Sequence, residues 1–177
     1  YLRAGEFHDY APNGLQVEGT REVKHIVLGV SASLGLIDEA ARRGADVVLV
    51  HHGWFWKGES PRIAGVKGCR IRHLMQSGMH LVGYHLPLDA HETVGNNAEL
   101  ARVLGLTIES RHGEYGLLHV GEIISGAMLA ADFARWFIQA NSMMMRFVGY
   151  RANEYFPVGP SANRFFLAIV CLTCRSG

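Results

Sequence analysis

The chain has 177 residues, enough for one good-sized domain or for a domain plus a fragment of a second. Hydrophobic residues make up 49%, charged residues 19%, and glycine occupies 21 positions, the balance of a soluble, turn-rich α/β protein. The formal net charge of +1 gives no field for nucleic acid or an anionic membrane, and no apolar stretch reaches the ~20 residues of a membrane span. No signal peptide opens the chain; its first residue is Tyr1, and the expectation is that the true start lies upstream. Cys69, Cys171 and Cys174 make no secreted disulfide framework, so the reducing cytoplasm is the expected compartment. The Cys171-Leu172-Thr173-Cys174 pair has redox or zinc spacing, but it has no second pair and no nearby histidine, so it is read as chance.

In chain order, His25-Ile26-Val27-Leu28-Gly29-Val30 reads as a short buried strand, with Ser31 or Ser33 placed to cap the next element. From Leu34 to Arg43 the apolar residues Leu34, Ile37, Ala40 and Ala41 have helical spacing, and Gly44 is a natural stop. Asp46-Val47-Val48-Leu49-Val50 is a second buried strand that delivers His51 and His52 at its carboxyl end. Both strands are apolar throughout, as in parallel strands covered on both faces. The rhythm repeats with a helix over Gly68 to Ser77, a strand over His80 to Tyr84 ending at His85-Leu86-Pro87-Leu88-Asp89, and a helix over Asn97 to Leu104 stopped by Gly105. The predicted class is therefore α/β, a layered fold with a mainly parallel sheet flanked by helices.

From about Asn141 the character changes. The segment has a Met143-Met144-Met145 run and neither clear helical periodicity nor the α/β rhythm, apart from a strand-like Phe165 to Leu172. Composition leaves two readings open: an ordinary change of local structure, or sequence from a reading-frame error or truncated gene.

In open α/β sheets the carboxyl ends of the strands form the ligand crevice, and both histidine-bearing clusters fall there. Imidazole and carboxylate ligands suit first-row divalent ions such as Fe, Mn, Zn and Co. His51, His52 and Asp89 are the candidate ligands. Neighbouring residues of a regular strand point to opposite faces. His51 and His52 can thus share an ion only where the strand breaks, as Gly53 would allow, or else each faces a different ion. His85 could be a ligand, could orient one, or could transfer protons; the last two are favoured. His91 is balanced between the site and plain surface. His8, His25, His73, His80, His112 and His119 stand in helix, strand or loop contexts and are read as structural. Trp54-Phe55-Trp56-Lys57-Gly58-Glu59 could stack a planar substrate or pack against a neighbouring subunit. Asp38-Glu39 reads as solvated charge on the first helix. Gly29-Val-Ser-Ala-Ser33 is too poor in glycine for a phosphate loop, and no nucleophile elbow exists.

With these residues in place, the sequence resembles the first part of the NIF-three-like dinuclear metal-centre family, often labelled GTP cyclohydrolase 1 type 2 homologues, and most of all its bacterial YbgI type. The matching text is Asp9-Tyr-Ala-Pro-Asn-Gly-Leu-Gln-Val-Glu-Gly19, Gly29-Val-Ser-Ala-Ser33, Leu-Ile-Asp-Glu-Ala40 and Gly-Ala-Asp46. It continues with Val-His-His-Gly-Trp-Phe-Trp-Lys-Gly-Glu59, His-Leu-Pro-Leu-Asp-Ala-His91 and Gly-Asn-Asn-Ala98. The likeness covers roughly Tyr1 to Ala140 and weakens after Arg111, with Gly121-Glu122 the last point of alignment. The expected division is a metal-binding α/β domain over 1–140 and a divergent tail over 141–177, frame-shifted or disordered.

The resemblance implies the first lobe of a two-lobed fold, a two-ion site and a toroidal homohexamer. It places metal ligands at His51, His52 and Asp89, with the remaining ligands on a late histidine followed four positions on by a glutamate. This chain departs there: four positions after His112 and His119 stand Gly116 and Ile123. The resulting expectation is a metal-dependent, hydrolase-like protein acting on a small molecule, a nucleotide among the candidates, with His85 assisting proton transfer. One ion or none would remain if the missing ligands are not replaced. The alternative is a non-enzymatic metal-binding or regulatory interaction protein.

Overall fold

The computed structural model describes residues 1–126, 131–132 and 135–136 and the backbone of 164–168. The chain divides into two compact units, Tyr1–Leu88 and Asp89–Gly177. The expected boundary at 140/141, the methionine run and the Cys171–Cys174 pair lie outside the described residues.

The first unit is built on a four-stranded sheet in the order β1-β4-β3-β2, with β1 Gly14–Val17, β2 Ile26–Ser31, β3 Val47–His52 and β4 His80–Gly83. β2, β3 and β4 run parallel, and β1 lies antiparallel on the edge beside β4. The α/β class and the mainly parallel sheet expected from the sequence are therefore found. Helices α1 (Leu34–Arg42) and α2 (Gly65–Gln76) supply the parallel crossovers. Ser33 begins α1 as expected, its hydroxyl accepting from the Leu36 amide at 3.2 Å. Gly44 follows the helix with φ +69°, the left-handed conformation that ends helices cheaply. Ile37, Ala40, Ile71 and Leu74 from the helices bury against Val48, Val50 and Leu81 of the sheet. Removing that much apolar surface from water stabilises the unit at about 25 cal/mol per Å².

One expectation changes. β2 is not a buried strand: Ile26, Leu28 and Val30 are 56%, 71% and 45% exposed. As an edge strand it uses Val27 and Gly29 toward α1, where Leu36 presses on Gly29, and it turns its other residues outward. β3 runs through His52, with Ser31 as its register partner, and ends just before Gly53. After β4 comes a short helix, α3 (Leu86–Ala90), which accepts Pro87 because proline is tolerated in a first helical turn where no N–H is required.

The N-terminal segment is fastened to the sheet by His80. Its Nδ1 accepts from the Gly19 amide at 2.9 Å, and its Nε2 lies 2.9 Å from the Arg21 carbonyl, which fixes a neutral ring protonated at Nε2. Gly19 has to be glycine, since a Cβ there would collide with the Gly78 carbonyl oxygen.

The second unit contains α4 (Asn96–Val103) and an antiparallel sheet in the order β5-β6-β7, with β5 Leu106–His112, β6 Leu118–Ile123 and β7 Arg164–Ala168. β7 overlaps the start of the strand read from Phe165. Leu100, Ala101, Leu104 and Ile123 are buried here. Among the described residues, no helix is long and apolar enough to cross a membrane.

Candidate metal centre

The pairing of β3 with β4 ends at Val50↔Gly83, two residues before β3 itself ends at His52. His51 and His52 close β3, and His85 comes shortly after β4. The ring centroids of His51 and His52 lie 4.5 Å apart, those of His51 and His85 5.0 Å, and those of His52 and His85 5.9 Å. One nitrogen from each of these histidines falls within 4.8 Å of the others, a set that could hold an ion. The alternation rule that set His51 and His52 on opposite faces thus loses its hold at the strand end.

Each ring is anchored through Nδ1 by an oxygen from a different segment. His51 Nδ1 lies 2.9 Å from the Tyr84 carbonyl, His52 Nδ1 3.1 Å from the Ser31 hydroxyl, and His85 Nδ1 2.7 Å from Asp9 Oδ1. A neutral imidazole that donates from Nδ1 presents its lone pair at Nε2, the arrangement by which histidine ligands of metals are oriented. The donor set therefore fits a borderline divalent ion such as Zn, Fe, Mn or Co.

Asp9 is a tightly held acid of the first unit. Its side chain is 2% exposed and that of His85 4%. Burial alone would raise its pKa, but hydrogen bonds from His85, Asn13 and the Leu86 amide outweigh burial and hold it at about 2. It is a buried carboxylate whose charge is stabilised locally.

The aromatic motif divides its labour. Trp54 is a core residue, 5% exposed, its indole donating to the Ala32 carbonyl at 3.0 Å. Trp56 meets the His85 ring edge-on at 4.9 Å and lies 6.1 Å from the His52 ring, forming one wall of the site. Phe55 lies beneath the Lys67 ammonium, 5.3 Å from the ring centroid.

Asp89 sits on α3 in the second unit, 2% exposed, and accepts from Asn96 Nδ2 at 2.8 Å. His91 accepts at Nδ1 from the amides of Thr93 and Val94, each at 3.2 Å. His73 pairs with Asp38 at 2.9 Å, while Glu39 binds Arg42 and Arg43, so the acidic pair read as solvated charge is held in surface ion pairs. His112 lies 2.9 Å from the Ser110 hydroxyl, and His119 is buried in β6.

The sequence reading missed Asp9, Asn13 and Ser31 as supports of the cluster. One signal was present: an acid and an amide four residues apart open the longest of the matched motifs.

The comparisons with known proteins give the family and the fold. The family model described as Duf34/NIF3 (NGG1p interacting factor 3) matches residues 1–154. The chain belongs to that family. This Duf34/NIF3 chain is 58% identical over 107 residues to the "GTP cyclohydrolase 1 type 2 homolog" of Escherichia coli (strain K12), covering 60% of this chain and 43% of the relative. It is 49% identical over 137 residues to the protein of the same name from Pseudomonas aeruginosa, covering 76% of this chain and 54% of the relative. Among solved structures it resembles protein ybgI, with TM-score 0.76 and 48% identity, covering 80% of this chain and 56% of that one. It also resembles TTHA1606 from Thermus thermophilus, with TM-score 0.68 and 39% identity, covering 78% of this chain and 56% of that one. The chain spans about half the length of the curated relatives it matches.

Proposed function

We propose that this chain carries the first half of a divalent-metal centre in a hydrolase-like protein acting on a small, nucleotide-type substrate. The observation that supports the reading most directly is the convergence of His51, His52 and His85 within 4.8 Å, each ring steadied through Nδ1. These histidines would hold the ion, and Asp89, which the family resemblance pairs with His51 and His52, would supply a carboxylate. Such an ion, when bound, brings Lewis-acid polarisation and an acidified water. The chain's own residues orient the donors and shield them: the indole edge of Trp56 closes one side beside His85, and Asp9 and Ser31 fix the rings. The name of the relatives favours GTP or another nucleotide as substrate. Assembly with further copies of the complete protein, in the cytoplasm, belongs to the same proposal.

A second reading is a metal-binding interaction protein without turnover, favoured by the family's own description as an interacting factor. The two separate in one experiment. The chain is purified without chelators, its metal content is measured by elemental mass spectrometry, and metal-dependent hydrolysis of GTP and a nucleotide panel is assayed on a complete relative. About one ion per chain is expected here, lost in a His51→Ala, His52→Ala double variant. Turnover that requires the same histidines in the relative supports the enzyme; an ion without turnover of any nucleotide supports the second reading. A chain that takes up no ion would sink both.

A further inference from the structure

His85 is the imidazole of the cluster whose Nδ1 meets a buried carboxylate, that of Asp9, at 2.7 Å. Both Asp9 oxygens are committed at this point of the fold. Oδ1 accepts from His85 Nδ1 and, at 2.6 Å, from the Tyr10 amide; Oδ2 accepts from Asn13 Nδ2 at 2.9 Å and from the Leu86 amide at 2.8 Å. Asn13 completes the clamp, its Oδ1 accepting from the His85 amide at 2.8 Å. The ring and main chain at His85 are thus gripped together by a segment more than seventy positions earlier in the chain. That grip follows from the fold: β1 pairs antiparallel with β4 from Gly14↔Gly83, which brings the residues before β1 alongside those after β4.

We infer that Asp9 is a positioning residue that holds His85 in the Nδ1–H form and makes its Nε2 a stronger donor toward a divalent ion. A carboxylate on the remote nitrogen pins the ring and donates electron density through it, and loss of such a partner commonly weakens metal binding by roughly 10–100-fold. The inference rests on the metal reading of the histidine cluster. It assigns His85 as a ligand through Nε2, in place of the orienting or proton-transfer role expected from the sequence, and it gives the Asp9–Asn13 pair of the N-terminal motif a purpose.

The test uses the whole chain, with Co²⁺ and Zn²⁺ as probes. Long-range ¹H–¹⁵N spectra of the histidine side chains in metal-free protein report the His85 tautomer without any substitution. The inference expects protonated Nδ1; a ring protonated at Nε2 would overturn it whatever the variants do. Co²⁺ titration, read by visible absorption and by quenching of Trp56 fluorescence, then compares the native chain with Asp9→Asn and Asp9→Glu. The expected result is roughly 10–100-fold weaker binding and an altered cobalt spectrum in Asp9→Asn, with partial recovery in Asp9→Glu, which keeps the charge. Circular dichroism checks that each variant is folded. Native binding that is unchanged in a folded Asp9→Asn protein would overturn the role of Asp9 and leave the metal reading standing. A native chain that takes up neither ion would remove the metal reading and this inference with it. Should Asp9→Asn not fold, the native tautomer and Asp9→Glu decide.

Discussion

His119 shows what an imidazole does when its surroundings are not arranged for it. It is 2% exposed, and its ring nitrogens fall outside good hydrogen-bond geometry, with the Gly116 carbonyl compensating weakly. Burial, and then the nearby Arg111 charge, push its pKa below the ordinary histidine value. The unfolded chain therefore takes up this proton first, and ∂ΔG/∂pH is positive between the two pKa values. The contribution to stability is complete above about pH 6.5 and is lost progressively as the pH falls toward the folded-state pKa. Urea midpoints of the chain are expected to decline from about pH 7 to about pH 5, and His119→Leu to flatten part of that decline; parallel native and variant curves would contradict it. The histidines of the candidate metal centre were legible in sequence because they stand at the ends of apolar runs. Asp9 was not, because its meaning lies in contacts with His85 and Leu86, and the Asp9–Asn13 spacing alone names no partner that distant.

At the scale of elements, α1 and β3 were legible because helical spacing and an unbroken β-branched run each leave one structure available. β1, β5 and β6 were not. Gly-Leu-Gln-Val and Thr-Ile-Glu-Ser-Arg offer little apolar alternation, and their pairing comes from neighbours rather than propensity. Two substitutions separate local from tertiary control. Ser33→Ala removes the α1 cap bond and is expected to cost about 1 kcal/mol. Gly19→Ala forces a Cβ against the Gly78 carbonyl and the Met79 backbone, where no flexible side chain can yield, and the expected loss is larger, about 2–4 kcal/mol. Thermal melts of both variants provide the check, and a Gly19→Ala protein as stable as Ser33→Ala would show that the N-terminal segment does not hold its place against the strand.

For the molecule as a whole, the family match covers residues 1–154 while the chain spans about half the length of its curated relatives. The first unit has a helix-covered face, and its sheet presents Leu15, Ile26, Leu28 and Val30 on the other, each at least 45% exposed. These exposed side chains of β2 adjoin its outer edge, whose backbone groups have no partner strand among the described residues. An apolar stripe beside an open edge is a template on which another chain can add. The expected outcome is that turbidity at constant temperature sets in sooner as concentration rises. A single Leu28→Lys change, touching no core contact, should lengthen the delay while leaving the melting temperature where it was.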